Sequence, residues 1–180
     1  MDGRINGEGE KTLPNGAKFK GTFKDDKYIG TEISYPNGVK YSGGITDEKP
    51  NGKGLLTWKD GKTYDGDFVK GQRMGNGIES RPDGTTYKGQ FKGNKYHGKG
   101  TKTLPNGTTY TGDFRVSLMT GQGTMNFKDG TIYIGTFMSD KYNGQGKLTQ
   151  NGETYVGNFK NNVKDGKGLI TFADSSKYEG

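Results

Sequence analysis

Few side chains in this chain belong to the types that catalyse reactions or hold metal ions. Among its 180 residues there is one histidine, His97, and there is no cysteine. Gly98 and Gly100 resemble part of a phosphate-binding loop, but a dinucleotide fingerprint needs a third glycine and the start of a helix, and neither follows here. Acidic residues are scattered among lysines, so general acid–base catalysis has no evident site. The sequence therefore predicts a non-enzymatic protein with no catalytic residue, no metal ligand and no cofactor.

His97 belongs to a segment, residues 87–109, from which the chain is built by repetition. Each copy has a Tyr-x-Gly-x-Phe motif, a polar link, a Gly-x-Gly motif and an Asn-Gly or Asp-Gly pair. Full copies of 23 or 22 residues start at Phe19, Tyr41, Tyr64, Tyr87, Tyr110, Tyr133 and Tyr155. A half copy over residues 6–18 precedes them, and a partial copy over residues 178–180 follows. In the other full copies the position of His97 holds Ile29, Asn51, Met74, Thr120, Asn143 and Asp165. The repeat therefore needs no histidine, and the sequence predicts one continuous array over residues 1–180.

Each copy alternates in the manner of two short antiparallel strands. Tyr87, Gly89 and Phe91 alternate with Lys88 and Gln90, and this period of two places the rings and the glycine on one face. Because glycine is a poor strand former, the Gly-x-Gly motif indicates that aromatic rings lie over bare backbone. No helical period is present. The predicted fold is all-β: an elongated, single-layer antiparallel meander of tandem 23-residue β-hairpins.

Two kinds of link join the predicted strands. The Asn-Gly and Asp-Gly pairs tolerate positive φ at both residues, which predicts two-residue type I′ turns. The pairs are Asn37-Gly38, Asp60-Gly61, Asp83-Gly84, Asn106-Gly107, Asp129-Gly130 and Asn151-Gly152. The polar link, residues 92–97 in the copy that contains His97, is variable and rich in lysine. We expect this link to form an exposed loop.

The copies resemble MORN repeats (membrane occupation and recognition nexus), and the resemblance covers nearly all of residues 6–180. It implies an all-β sheet whose aromatic and glycine-rich face scaffolds protein assemblies at cytoskeletal, ciliary or membrane-adjacent sites. Lipid binding is claimed for the family, and some members join such arrays to kinase or methyltransferase domains. Three features depart from the pattern: Glu32 in place of the second glycine, Gly44-Ile45 in place of x-Phe, and Ser175 in place of the turn glycine.

The aromatic face is the candidate binding site. Only 27% of the residues are hydrophobic, so the recurring rings are the only available core, yet a single layer cannot cover both of its faces. We therefore expect part of this face to stay open as a groove for a protein partner. The predicted groove residues are Trp58, Tyr64, Phe68, Tyr87, Phe91, Tyr110, Phe114, Phe127, Tyr133 and Phe137. Tyr28, Tyr96 and Tyr142, in the polar links, either contact a partner or hold those links in place.

The leading hypothesis is a non-catalytic scaffold or adaptor that binds a protein partner in a cytoskeletal or ciliary assembly. A second hypothesis is a phospholipid-headgroup-binding module at a membrane surface. It rests on the net charge of +7 and on a basic rim formed by Lys53, Lys99 and Lys167; a soluble surface protected by lysines explains the same charge. Acids beside lysines, as in residues 24–27, disfavour nucleic acid as a partner. A third hypothesis is a targeting segment of a larger enzyme such as a lipid kinase.

Location and self-association are predicted from the composition and from the ends of the array. The sequence shows no signal peptide, no membrane span and no cysteine, which favours a cytoplasmic protein associated with the cytoskeleton or a cilium. The lipid hypothesis instead implies a peripheral membrane location. The half copy and the partial copy leave strands without hairpin mates, which predicts homo-oligomers through sheet edges unless the chain continues.

Overall fold

The computed structural model describes residues 4–180, and its regular structure is β-strand, with no helix among those residues. The 17 strands belong to one antiparallel sheet. In chain order they are β1 (Gly7–Thr12), β2 (Lys18–Lys24), β3 (Lys27–Tyr28), β4 (Glu32–Ser34), β5 (Lys40–Thr46), β6 (Lys49–Thr57), β7 (Thr63–Val69), β8 (Gln72–Ser80), β9 (Thr86–Lys92), β10 (Lys95–Thr103), β11 (Thr109–Arg115), β12 (Leu118–Asn126), β13 (Ile132–Met138), β14 (Lys141–Gln150), β15 (Glu153–Lys160), β16 (Val163–Thr171) and β17 (Lys177–Glu179). The predicted all-β fold of tandem antiparallel hairpins is confirmed.

The described residues divide into two compact units. Residues 4–82 and 91–94 form the first unit, in which strands β1 to β8 pair with their neighbours in the chain, except that β2 pairs with both β3 and β4. Residues 83–90 and 95–180 form the second unit, in which β10 to β17 pair in chain order. All of these pairs are antiparallel.

Each copy of the repeat is a hairpin of a Tyr-x-Gly-x-Phe strand and a Gly-x-Gly strand. In the copy that starts at Tyr110, Tyr110 lies opposite Met125 and Gly112 lies opposite Gly123. Because side chains alternate between the two sides of a strand, the aromatic rings collect on one face of each unit, which we call the aromatic face. These rings are the core: in the seven full copies, the tyrosines and phenylalanines of the motif are at most 5% exposed.

The prediction that the polar links form exposed loops is wrong. Strands β5 and β6 are separated by only two residues, Asp47 and Glu48, with φ of 48° and 58°. Positive φ at both central residues is the mark of a type I′ turn, whose twist matches that of paired strands. The same pair of positive values recurs at each polar link, and one pair includes a β-branched residue, Val116 (φ 52°). The strands run through polar positions whose side chains face solvent, so polarity alone does not distinguish strand from loop.

The Asn-Gly and Asp-Gly turns differ from the predicted type I′ form. At Asn37-Gly38 positive φ falls on the glycine alone; the Gly38 N–H donates to the Tyr35 carbonyl at 3.0 Å, and the Tyr35 N–H donates to the Val39 carbonyl at 2.8 Å. This is a type I turn followed by a left-handed glycine, and Pro36 supplies the φ that the first central position requires. Only Asn151-Gly152, in a copy of 22 residues, has positive φ at both residues. The type I′ prediction is correct there and wrong at the five other pairs.

The first full copy is the least regular. Its second strand is broken into β3 and β4, and Glu32 stands where the second glycine stands in other copies. Its motif begins with Phe19, which has no hydroxyl, and Tyr28 replaces the missing group: the Tyr28 hydroxyl lies 3.0 Å from both the Lys20 and Glu32 carbonyl oxygens. The ring of Tyr28 also packs on Phe19, with 5.1 Å between the ring centroids. Tyr28 therefore holds its link in place rather than projecting as a free contact.

Candidate protein-binding face

The first tyrosine of each motif locks its hairpin by covering a glycine. A Cβ atom added to Gly123 would lie 2.5 Å from Cε2 of Tyr110, so the ring rests on bare backbone. The Tyr110 hydroxyl then donates to the Asp113 carbonyl at 3.0 Å. Burial raises the pKa of Tyr110 to about 12. The predicted contact of rings with glycine is confirmed for the second glycine of the Gly-x-Gly motif.

The first glycine of that motif serves another purpose. Gly121 has φ of 58° and lies at a break in register beside Gly112 and Asp113. A β-bulge of this kind needs a left-handed residue, which glycine adopts without steric cost. The bulge glycine Gly52 has no atom within 4 Å of an added Cβ. The prediction that rings cover both glycines is therefore wrong for the first one, except in the first full copy, where the ring of Tyr28 covers Gly30.

The rings of successive copies form edge-to-face series, from Tyr41 to Phe91 in the first unit and from Tyr87 to Phe159 in the second. In the second unit, the centroid of Tyr110 lies 5.1 Å from that of Phe114 at an interplanar angle of 88°, and 4.7 Å from that of Phe137 at 75°. Eight of the ten predicted groove residues belong to such series and are at most 3% exposed: Tyr64, Phe68, Tyr87, Phe91, Tyr110, Phe114, Tyr133 and Phe137. They form the floor of the face, whereas the other two, Trp58 and Phe127, are half-buried.

The tyrosines of the two remaining polar links belong to the same packing. Tyr96 stacks on Tyr87 with ring centroids 3.8 Å apart, and Tyr142 stacks on Tyr133 at 3.7 Å, both at 10° between planes. Tyr96 is 5% exposed. Of the two interpretations, the one in which these tyrosines hold their links in place agrees with the structure.

An accessible apolar ridge lies above the aromatic floor in each unit. In the first unit Leu56 is directly opposite both Tyr41 and Tyr64, so it shares their face, and Trp58 follows two residues later on the same side. Both side chains are half-buried. We call Leu56 and Trp58 the first ridge. The second unit carries a matching ridge, whose residues are Met125, Phe127, Leu148 and Ile170.

A cavity of about 320 Å³ lies in the first unit. Its apolar wall contains Leu13, Phe19, Tyr35 and Pro50. Burial raises the pKa of Tyr35, which is half-buried at the edge of this cavity. Charged residues of the turns, among them Lys70, also line the cavity. The cavity is large enough for one or two side chains of a ligand.

One copy replaces apolar positions of the aromatic face with charged residues. Glu79 occupies the position that Leu56 and Met125 occupy in their copies, and it is 3% exposed. Its carboxylate oxygens lie 2.5 Å from Nη1 of Arg73 and 2.9 Å from Nη2 of Arg81. Sequence reasoning missed these residues. A signal was available at Glu79 and Arg81, because the same positions hold Leu56 and Trp58 one copy earlier and Met125 and Phe127 two copies later.

The guanidinium of Arg73 also packs on rings. It lies 5.3 Å from the centroid of Tyr64 and 5.5 Å from that of Trp58. The ammonium of Lys62 lies 3.8 Å from the Trp58 centroid. Trp58 is thus in contact distance of two cations, a geometry that favours cation–π attraction.

The type I′ turns of the second unit tie each hairpin to the preceding one. In the second unit the Met119 N–H donates to Oδ1 of Asp140 at 2.8 Å, and the Asp140 N–H donates to the Met119 carbonyl at 3.1 Å. Asn162 makes the same pair of bonds with Tyr142, at 2.8 and 3.1 Å. Sequence reasoning missed this contact as well. Its signal is the small polar residue that recurs at the second position of the turn.

The predicted basic rim is partly neutralised. Lys53 Nζ lies 2.6 Å from an oxygen of Asp67, and Lys99 Nζ lies 2.8 Å from an oxygen of Asp113. Lys53 is the main cause of the lowered pKa of Asp67. Lys167 is exposed. These lysines lie on the strand side opposite the rings, so they do not contribute charge to the aromatic face.

Two other site types find no support among residues 4–180. No group of three or more histidine, cysteine, aspartate or glutamate side chains in that range is arranged to hold a metal ion. No helix in the same part of the chain is long and apolar enough to cross a bilayer.

Hairpins that repeat in phase, each locked by a tyrosine over a glycine, define a tandem β-hairpin repeat protein. The chain belongs to the MORN repeat family: the family model, described as MORN repeat, matches residues 1–18, 41–63, 64–86, 87–109, 110–132, 133–154 and 155–177. No curated protein matches the chain.

Solved structures share the fold at low sequence identity. The SAS-4 (dCPAP) TCP domain of Drosophila melanogaster, in complex with a proline-rich motif of Ana2 (dSTIL), is 14% identical with a TM-score of 0.52, over 96% of this chain and 88% of that one. The G-box domain of the microcephaly protein CPAP, whose structural analysis suggests a role in centriole elongation, is 13% identical with a TM-score of 0.56, over 97% of this chain and 98% of that one. At these identities the likeness concerns the fold alone.

Proposed function

We propose that this chain is a non-catalytic scaffold that binds an extended protein segment on the aromatic face of its first unit. The observation that carries the proposal is the first ridge, Leu56 and Trp58, in a unit that also holds a cavity of about 320 Å³. Accessible apolar surface of this kind marks interaction sites in soluble proteins.

The buried aromatic residues have a supporting part in this proposal. Each motif tyrosine is fixed by its glycine, its hydroxyl hydrogen bond and the neighbouring phenylalanines, as at Tyr64, whose hydroxyl donates to the Asp67 carbonyl at 2.9 Å. A floor that is already rigid loses little conformational entropy when a ligand binds, which favours affinity. Of the ten predicted groove residues, Trp58 would contact the segment bound to the first unit, and the eight buried ones would hold the aromatic faces in shape; Phe127 belongs to the ridge of the second unit.

The fold neighbours agree with a protein ligand. One of them is solved with a proline-rich motif of another protein, and another is linked to centriole elongation. Proline-rich segments are extended and dock on aromatic-lined surfaces at low entropic cost. We therefore place the scaffold in a cytoskeletal assembly, as the family resemblance also implies.

Selection from a random peptide display library tests the proposal without knowledge of the natural partner. The bait is the whole chain, alongside Leu56→Gln and the matched control Leu55→Gln, since Leu55 is adjacent but lies on the opposite strand side and is 42% exposed. We expect peptides that bind the whole chain and the control but lose affinity for Leu56→Gln. Selected peptides that are insensitive to Leu56→Gln, or no selected peptides, would contradict the proposal. Melting curves confirm that both variants fold.

A second candidate function, binding to an anionic membrane surface, is favoured by the type I′ turn edge of the second unit. Here exposed apolar residues lie directly opposite cations across the hairpin end: Leu118 opposite Arg115, Met138 opposite Lys141, and Val163 opposite Lys160. Met138 and Val163 are 57% and 65% exposed. Insertion of apolar side chains between basic ones is a common mode of attachment to anionic lipid.

Co-sedimentation with vesicles of phosphatidylserine and phosphatidylcholine tests this second function. We expect binding that weakens with added salt and with a Met138→Ser, Val163→Ser double variant. Absence of sedimentation at low salt, or sedimentation that the double variant leaves unchanged, would exclude this edge.

A further inference from the structure

Arg73, Glu79 and Arg81 of the first unit form a charged cluster that the fold does not require. Glu79 is buried at a position that holds leucine or methionine in other copies, and a buried carboxylate costs stability unless it is paired and hydrogen-bonded. Arg73 and Arg81 provide that pairing. Because Leu56, Met125, Leu148 and Ile170 fill the same position in other copies, the fold does not need a buried carboxylate there, and stability alone does not explain the cluster.

Glu79 fixes the direction of Arg81. Both Nε and Nη2 of Arg81 lie within 3.0 Å of the same oxygen of Glu79, so the plane of the guanidinium is set. The Arg81 side chain is nevertheless 46% exposed, whereas that of Arg73 is 12% exposed. Arg73 is a buried structural partner, and Arg81 presents an oriented positive group at the surface of the aromatic face.

Trp58 and Lys62 lie beside this cluster. The Lys62 ammonium rests on the Trp58 ring at 3.8 Å, while Arg73 approaches the same ring at 5.5 Å. Among the ion pairs of residues 4–180, none brings a carboxylate to Lys62. Lys62 is thus a cation held over the aromatic ring of the first ridge that Arg73, the partner of Glu79, also approaches.

We propose that Trp58, Lys62 and Arg81, with Arg73 and Glu79 behind them, form an acidic-peptide site that selects an aspartate or glutamate of the bound segment. We call these five residues the Trp58 site. The carboxylate would pair with Lys62 and Arg81, and an apolar or proline residue next to it would pack on Trp58. The charge of the site supports this choice, because three cations accompany one carboxylate. This inference rests on the proposed function and names the chemistry of its partner.

The peptide selection supplies the test when the Lys62→Gln and Arg81→Gln variants are added as baits, with Lys40→Gln, an exposed residue on the opposite strand side of the first unit, as a control. We expect the peptides selected by the whole chain to be enriched in an acidic residue next to proline or an aliphatic residue. Both site variants should lose that enrichment, and the control should keep it. Lys62→Gln leaves Glu79 fully paired, so a loss of acidic preference in this variant is not a folding effect.

Fluorescence measures the affinity directly, because Trp58 is the only tryptophan. A selected peptide should shift Trp58 emission, and its twin with glutamine for glutamate should bind about tenfold more weakly. Enrichment without acidic residues, or equal affinity of the twin peptides, would overturn this inference and leave the proposed function standing. Failure to select any peptide would overturn both.

Discussion

The substitution Gly123→Ala tests how the hairpins are held together. The added Cβ would lie 2.5 Å from Cε2 and 2.6 Å from the hydroxyl oxygen of Tyr110, closer than any ordinary contact. Tyr110 cannot move aside easily, because it is 2% exposed and packs edge-to-face on Phe114 and Phe137. Overpacking costs about 1–3 kcal/mol, and displacement of the hydroxyl from the Asp113 carbonyl adds about 1 kcal/mol. We expect a loss of about 3 kcal/mol.

Thermal unfolding followed by circular dichroism measures the loss, which corresponds to a fall in Tm of roughly 6–12 °C for a chain of this size. The control is Gly130→Ala: an added Cβ there meets no atom within 4 Å, and only the φ of 87° opposes alanine, at about 1 kcal/mol. In a Tyr110→Leu background, Gly123→Ala should cost at least about 1 kcal/mol less than in the native chain. Equal losses for the two glycine variants, or no coupling to Tyr110, would refute the ring-over-glycine lock.

Three further predictions concern the turns and the tyrosines. Val116 has φ of 52° and is 61% exposed, so Val116→Asn should raise Tm by removing strain of about 1 kcal/mol; an unchanged or lower Tm would contradict this. Asp140→Ala should destabilise the chain by about 1 kcal/mol in urea unfolding, because the Met119 N–H loses its acceptor at 2.8 Å, whereas Ser139→Ala should have little effect. Burial raises the pKa of the motif tyrosines Tyr64, Tyr87, Tyr110 and Tyr133 from 10.0 to about 12, so the folded state holds its phenolic protons more tightly than the unfolded state. Their contribution to stability is complete below pH 10 and is lost between pH 10 and pH 12; tyrosinate absorbance should rise together with unfolding, and titration well before unfolding would disagree.

The parts of the fold that follow local pattern could be predicted from the sequence. The alternation in Tyr-x-Gly-x-Phe places its rings on one face, and the recurrent glycine indicates ring contact, as Gly123 under Tyr110 shows. Turn type was harder to predict, because Asn-Gly fits both a type I′ turn and a type I turn with a following left-handed glycine. The residue before the pair is the better guide, because Pro36 and Pro105 set the φ of a type I turn. No proline precedes Asn151, whose copy has 22 residues instead of 23.

The candidate site depends on contacts between strands, and sequence pattern alone did not reveal it. The period of two in the strands correctly predicts that the rings share one face. It does not distinguish the buried floor from the accessible ridge. Tyr64 and Trp58 differ in burial because of packing with neighbouring copies. The interaction of Arg73 with Glu79 joins residues six apart across one strand face. Comparison of each position among the copies would have identified Glu79 as the only acidic residue at its position in the seven full copies.

Photo-crosslinking from the first ridge tests the central claim most directly. Benzoylphenylalanine is placed at position 56 or at position 55, and each protein is irradiated with a selected peptide. The account predicts a crosslink from position 56, on the aromatic face, and none above background from position 55, on the opposite strand side. A crosslink from position 55 alone would show that the partner binds the other face of the sheet.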